Sequence, residues 1–155
     1  MGLQADLDEA LRQAMRAGHA DRVSVIRLLR SAIKNRQIDK GKDRPLTDAE
    51  LLEVVVAAGK QRRESIELYR QGGRQDLVDK EERELAILGE FLPAQLSEQE
   101  LTAKIDAAVA AAQASGIKDM GKVMKLLMPQ VTGRADGARV SELVKARLNQ
   151  LTPAG

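Results

Sequence analysis

Apolar residues recur along most of this chain at intervals of three and four, the spacing of helices that bury one face. Leu3, Leu7, Leu11, Ala14 and Met15 keep that spacing up to Gly18, which predicts a first helix stopped by the glycine. Val25, Ile26, Leu29 and Ile33 form one broad face of a second helix, with Asp21 as its expected N-cap and Gln37 near its end. The segment KGKDRP then breaks the pattern. Thr47 with Glu50 makes a T-x-x-E capping box, stapled by Leu46 and Leu51, so a third helix starts there and should run to Gly72 and Gly73. It takes in Gly59 at a cost of about 1 kcal/mol relative to alanine. A fourth helix is predicted from Asp76 to Phe91.

In LPAQLSEQE, Pro93 halts that helix, and Ser97 with Glu100 forms a second capping box stapled by Leu96 and Leu101. This is the expected junction between an N-terminal helical domain, 1–94, and a three-helix tail domain, 95–155. The tail helices are predicted over Ser97 to Ser115, Asp119 to about Met128, and Asp136 to Gln150. The fold class is therefore all-α: an N-terminal bundle of about four helices followed by a three-helix tail.

Composition supports helices, because only 1% of residues are aromatic while 43% are hydrophobic and 31% charged. Cysteine is absent and His19 is the single histidine, which removes thiol chemistry and leaves no histidine pair for a metal. The N-terminal GLQADLDEALRQAM mixes acids with apolar residues, unlike a secretory leader, and no run reaches membrane-spanning length. A cytoplasmic setting without membrane attachment is the expectation. A net charge of +2 announces no partner, so local charge has to decide.

Catalytic sets are hard to assemble. A Ser-His-Asp arrangement would need His19, which sits just past Gly18 in a predicted turn and suits a surface or capping role. Lys60 and Ser65 lie five apart on a helix and do not share a face. Lys60 with Glu64, Arg63 with Glu67, Asp79 with Arg83 and Lys80 with Glu84 read as ordinary i,i+4 helix pairs. No catalytic residue, metal or cofactor is expected.

Two stretches depart from neutrality. Between Arg27 and Arg44, seven basic residues face only Asp39 and Asp43, and Arg27, Arg30 and Lys34 form one stripe at i, i+3, i+7. It reads as a solvated face or as a secondary nucleic-acid contact. The second is KDMGKVMKLLMPQVTGRADGARVSELVKARL. There Met120, Val123, Met124, Leu127 and Met128 make a core stripe and leave Lys122 and Lys125 on the opposite face. In GRADG, Gly133 can take a positive φ, Asp136 can cap the last helix, and Gly137 leaves that helix start bare. Helix N-terminal amides beside Arg134 and Arg139 make a phosphate site, and the same glycines also suit a plain helix-turn-helix joint.

That second stretch resembles the tail signature of the GatB/YqeY family, found in the B subunit of glutamine-dependent tRNA amidotransferases. SVIRLLRSAIKN, KQRRESIELYRQGGRQDLVDKEERELAILGEFLP and QLSEQEL resemble the free-standing YqeY-like branch, so the likeness covers nearly the whole chain. The resemblance implies an N-terminal helical domain, a three-helix tail, and tRNA contact through Lys122, Lys125, Gly133, Arg134, Gly137 and Arg139. It carries the label of a carbon–nitrogen ligase with glutamine as amido donor, yet amide transfer in the amidotransferase belongs to other domains. The expected function is a non-catalytic tRNA-binding module. The alternative is an adaptor docking on an amidotransferase or aminoacyl-tRNA enzyme.

Overall fold

The structure, a computed structural model, describes residues 2–151. Among them it is all-helical: α1 (Leu3–Ala17), α2 (Ala20–Lys40), α3 (Asp48–Gln71), α4 (Gln75–Gly89), α5 (Glu98–Ala111), a 3-10 turn (Ile117–Asp119), α6 (Met120–Val131) and α7 (Gly137–Leu151). Contacts divide the chain into two compact units, residues 1–92 and 93–155.

The first unit packs Leu7 and Leu11 of α1, Val25, Ile26, Leu29 and Ile33 of α2, Leu51, Val54 and Val55 of α3, and Leu88 of α4 into one core. Each buried Leu or Ile stabilises the unit by about 1.5–3 kcal/mol. The second unit buries Leu101, Ile105 and Val109 of α5, Val123, Leu127 and Val131 of α6, and Val140, Val144 and Leu148 of α7. Both capping boxes form, with Glu50 N–H donating to Thr47 Oγ1 and Glu100 N–H to Ser97 Oγ, each at 3.1 Å.

Several element boundaries differ from expectation. His19, not Asp21, occupies the N-cap of α2, because Gly18 at φ 72° reverses the chain immediately and the helix begins at Ala20. At its other end α2 runs on to Lys40, where Gln37 Nε2 donates to the carbonyls of Gly41 (2.8 Å) and Arg44 (2.7 Å) and ties down the following loop. Helix α5 stops at Ala111, well before Ser115, as Gln113 takes a left-handed φ of 52° and Ala114 N–H reaches back to the Val109 carbonyl. Helix α6 continues through Pro129 to Val131. A proline there costs the bond to the Lys125 carbonyl, and both residues are exposed, so water can replace it. Met15, placed on the core face by its spacing, is 54% exposed.

The i,i+4 pairs expected on α3 and α4 do not form; a tertiary partner takes Glu84, and a nearer neighbour on the same helix takes Glu67. Arg62 on α3 holds both Glu81 (3.1 Å) and Glu84 of α4, and Glu67 pairs with Arg70. Arg62 and Glu84 side chains retain only 12% and 9% of their exposure, so this is an ion cluster inside the α3–α4 packing. Arg62 Nε is buried without a partner.

Candidate nucleic-acid interface

Helix α6 separates its two faces as its spacing requires. Val123, Leu127 and Val131 are fully buried, Met120, Met124 and Met128 pack around them, and Lys122 and Lys125 are exposed. Lys122 Nζ lies 4.0 Å from Asp119 Oδ1, while Lys125 makes no ion pair among the described residues. Asp119 is itself occupied. Its carboxylate accepts the Ser115 backbone N–H at 2.9 Å and the Ser115 hydroxyl at 3.2 Å. The Ser115 amide first, then its hydroxyl and the Lys122 and Lys118 charges, hold this carboxyl below the usual aspartate range against a smaller opposing desolvation.

After α6 the chain turns at Gly133, whose φ of 76° is a conformation that side chains with a Cβ avoid. The turn is clamped by the segment preceding α5. Leu96 N–H donates to the Arg134 carbonyl at 2.8 Å, and Gln95 Nε2 to the Gly133 carbonyl at 2.7 Å. Arg134 Nε donates to the Ala94 carbonyl at 3.1 Å. Arg134 is thus part of the scaffold, and its remaining guanidinium N–H groups make no hydrogen bond among the described residues.

Helix α7 starts at Gly137. Asp136 contributes its carbonyl to Val140 N–H at 2.9 Å, but its carboxylate accepts no hydrogen bond among the described residues. The backbone N–H groups of Gly137, Ala138 and Arg139 likewise find no acceptor among the described residues. A Cβ on Gly137 would meet nothing within 4 Å, so packing does not require this glycine. Arg139 stands beside these amides, bridging Glu98 and Glu142 at 3.3 Å each on an exposed surface where such pairs are weak.

Charge is unevenly shared. Residues 1–92 carry 17 basic and 17 acidic side chains, whereas residues 93–155 carry eight basic and six acidic, so the whole formal excess lies in the second unit.

The α2 stripe is a separate surface on the first unit. Arg30 pairs with Asp8 at 3.4 Å, and Arg27 and Lys34 make no ion pair among the described residues. All three line a groove between α1 and α2 together with Gln4, Leu7 and Gln37. Further along, Arg36 pairs with Glu53 and Lys40 with Glu50, whose carboxyl is lowered first by Lys40 and then by the Thr47 amide. Sequence reasoning missed the Ala94–Leu96 clamp and the Arg62 cluster, since neither leaves a local spacing signal. His19 is exposed with no side-chain capping bond. Among the described residues no group of three or more acidic or histidine side chains could hold a metal, and no helix is long and apolar enough to cross a membrane.

Residues 4–148 match the family model described as YqeY-like protein. Curated relatives include altered inheritance of mitochondria protein 41, mitochondrial, from Eremothecium gossypii, 37% identical over 105 residues, which are 66% of this chain and 57% of that protein. The Lachancea thermotolerans protein of that name is 40% identical over 105 residues, 65% of this chain and 54% of the relative. That of Pyrenophora tritici-repentis is 30% identical over 147 residues, 92% and 77% of the two chains. The chain spans little more than half the length of the first two. These relatives are named mitochondrial, which overturns the cytoplasmic expectation. That expectation rested on the lack of a leader pattern at the N-terminus, a local feature that does not decide where a protein works.

Proposed function

We propose that this chain, which belongs to the YqeY-like family, is a non-catalytic tRNA-binding module whose tail grips the RNA backbone. The observation that carries the reading is the start of α7: three backbone amides without acceptors, a glycine that no packing demands, and Arg139 alongside. Helix N-termini of this kind suit phosphate, because unpaired N–H groups and the helix dipole act together. Lys125, without an ion pair among the described residues, and Lys122, whose Asp119 partner is 4.0 Å away, add exposed cations on α6, a helix of twelve residues and so about 18 Å long. Lys122 lies in its first turn and the GRADG turn follows its end, a spread suited to several phosphates of one backbone rather than to one ion. The resemblance of this tail to that of the amidotransferase B subunit points the same way.

Phosphate contacts position without reading sequence, so the module should bind tRNAs with little discrimination. It does not generate ammonia or activate a carboxyl group on this reading, and purified protein should leave glutamine and a misacylated tRNA unchanged. The direct test is filter binding of bulk tRNA at 50 and 200 mM salt. Three side-chain phosphate contacts at a slope near −0.9 each weaken binding roughly forty-fold over that range. Absence of binding at low salt, or binding indifferent to salt, would reject the reading.

A further inference from the structure

The groove lined by the α2 stripe does not end at the basic residues. Arg27 and Ser31 border a second depression along the same helix pair, formed by Ala14, Met15 and Gly18 of the α1 end and by Ala20, Val23, Ser24 and Leu28 of α2. The two depressions make one continuous trough. On α2 its line runs Ala20, Ser24, Arg27, Ser31, Lys34, an i, i+4, i+7, i+11, i+14 progression that follows one face of a helix. From Ala20 to Lys34 that face is about 21 Å long, the length of some fourteen residues of a second helix lying alongside. Small residues at three of these positions let another helix approach closely.

Chemistry changes along the trough. Its first half is apolar, with Met15 at 54% and Leu28 at 56% exposure, unusually open for such large side chains. Its second half presents Arg27 and Lys34, which have no ion-pair partner among the described residues, and Arg30, shared with Asp8, the one acidic residue lining either depression. A polyphosphate backbone would use the basic half and gain nothing from the apolar half.

We propose that this trough docks an acidic amphipathic helix of a partner protein, its leucine-type anchors against Met15 and Leu28 and its carboxylates against Arg27 and Lys34. This is helix-in-groove recognition, with apolar anchors supplying affinity and charge fixing direction. It is independent of tRNA binding by the tail, because it uses residues of the first unit only.

The test is a selection from a displayed library of helical peptides on the full chain. Enriched sequences should carry leucine-type anchors at i, i+3/i+4 and i+7, with acidic residues toward one end. As synthetic labelled peptides they should lose about tenfold or more in affinity for Arg27→Glu/Lys34→Glu and, separately, for Leu28→Asp, each checked for folding by circular dichroism. No enrichment, or peptides that bind parent and variants alike, would overturn the proposal. So would bulk tRNA or anionic vesicles whose binding is abolished by Arg27→Glu/Lys34→Glu but unchanged by Leu28→Asp. Self-association of the parent that Leu28→Asp abolishes would assign the trough to a second copy of the chain and overturn it equally.

Discussion

Arg134 Nε donates to the carbonyl of Ala94 at 3.1 Å, across forty residues of sequence. The residue most suggestive of phosphate binding in the GRADG turn therefore also fastens that turn to the segment before α5. Arg134→Ala should cost about 0.5–1.5 kcal/mol in the second unit, the net worth of a typical hydrogen bond. A thermal melt would register this, and any loss of tRNA affinity in that variant should be discounted accordingly. A melt indistinguishable from the parent would return Arg134 to a purely ligand-facing role.

Arg62 is the counterpart in the first unit. Removing it leaves Glu81 and Glu84 facing each other in the α3–α4 packing without their shared cation. Arg62→Ala should destabilise by about 3 kcal/mol, the penalty of orphaning buried charge rather than the worth of the pair. Urea unfolding followed by circular dichroism measures it. A loss under about 1 kcal/mol would place the cluster in water.

Asp119 ties the end of the α5–α6 connection to Ser115 and holds its carboxyl below its ordinary value. A folded pKa lower than the unfolded value near 3.9 adds stability that is present above that value and is lost as pH falls through the folded one. Asp119→Asn should melt lower than the parent at neutral pH and lose less on acidification below about pH 4. Parallel pH–melting curves for the two proteins would refute the assignment.

Gly137 separates the structural and ligand-facing readings of the α7 start. A methyl there meets open space, so Gly137→Ala should stabilise the protein by about 0.4–1 kcal/mol by restricting the unfolded chain. The same methyl intrudes on the approach to the free amides and should weaken tRNA binding. Greater stability with unchanged affinity would make the turn a plain helix joint.

How far the sequence foretold this molecule follows the range of the interactions involved. Thr47 with Glu50 and Ser97 with Glu100 act within four residues, so both helix starts were legible, as was the methionine face of α6. Gln113 was not, since a left-handed glutamine carries no composition signal and the alanine run before it favours continuing the helix. Arg62 was hidden because Glu84 lies 22 residues away, and near helical neighbours offered nominal pairs that tertiary packing displaced. At the tail, Lys122, Lys125 and Gly137 were readable as exposed positions. The partners of Arg134 and Arg139, Ala94 just before α5 and Glu98 at its first position, lie some forty residues away in sequence and could only be seen in the fold.

On the proposed function the tail holds RNA through Lys122, Lys125 and Arg139 around the α7 amides. The most direct measurement is the salt dependence of tRNA binding for the parent and for a Lys122→Ala/Lys125→Ala/Arg139→Ala variant whose melt matches the parent. Losing three phosphate contacts should lower affinity for all tRNAs alike and flatten the log–log salt slope by about 2 to 2.7. A folded triple variant that binds tRNA with the parent's affinity and slope would contradict the account.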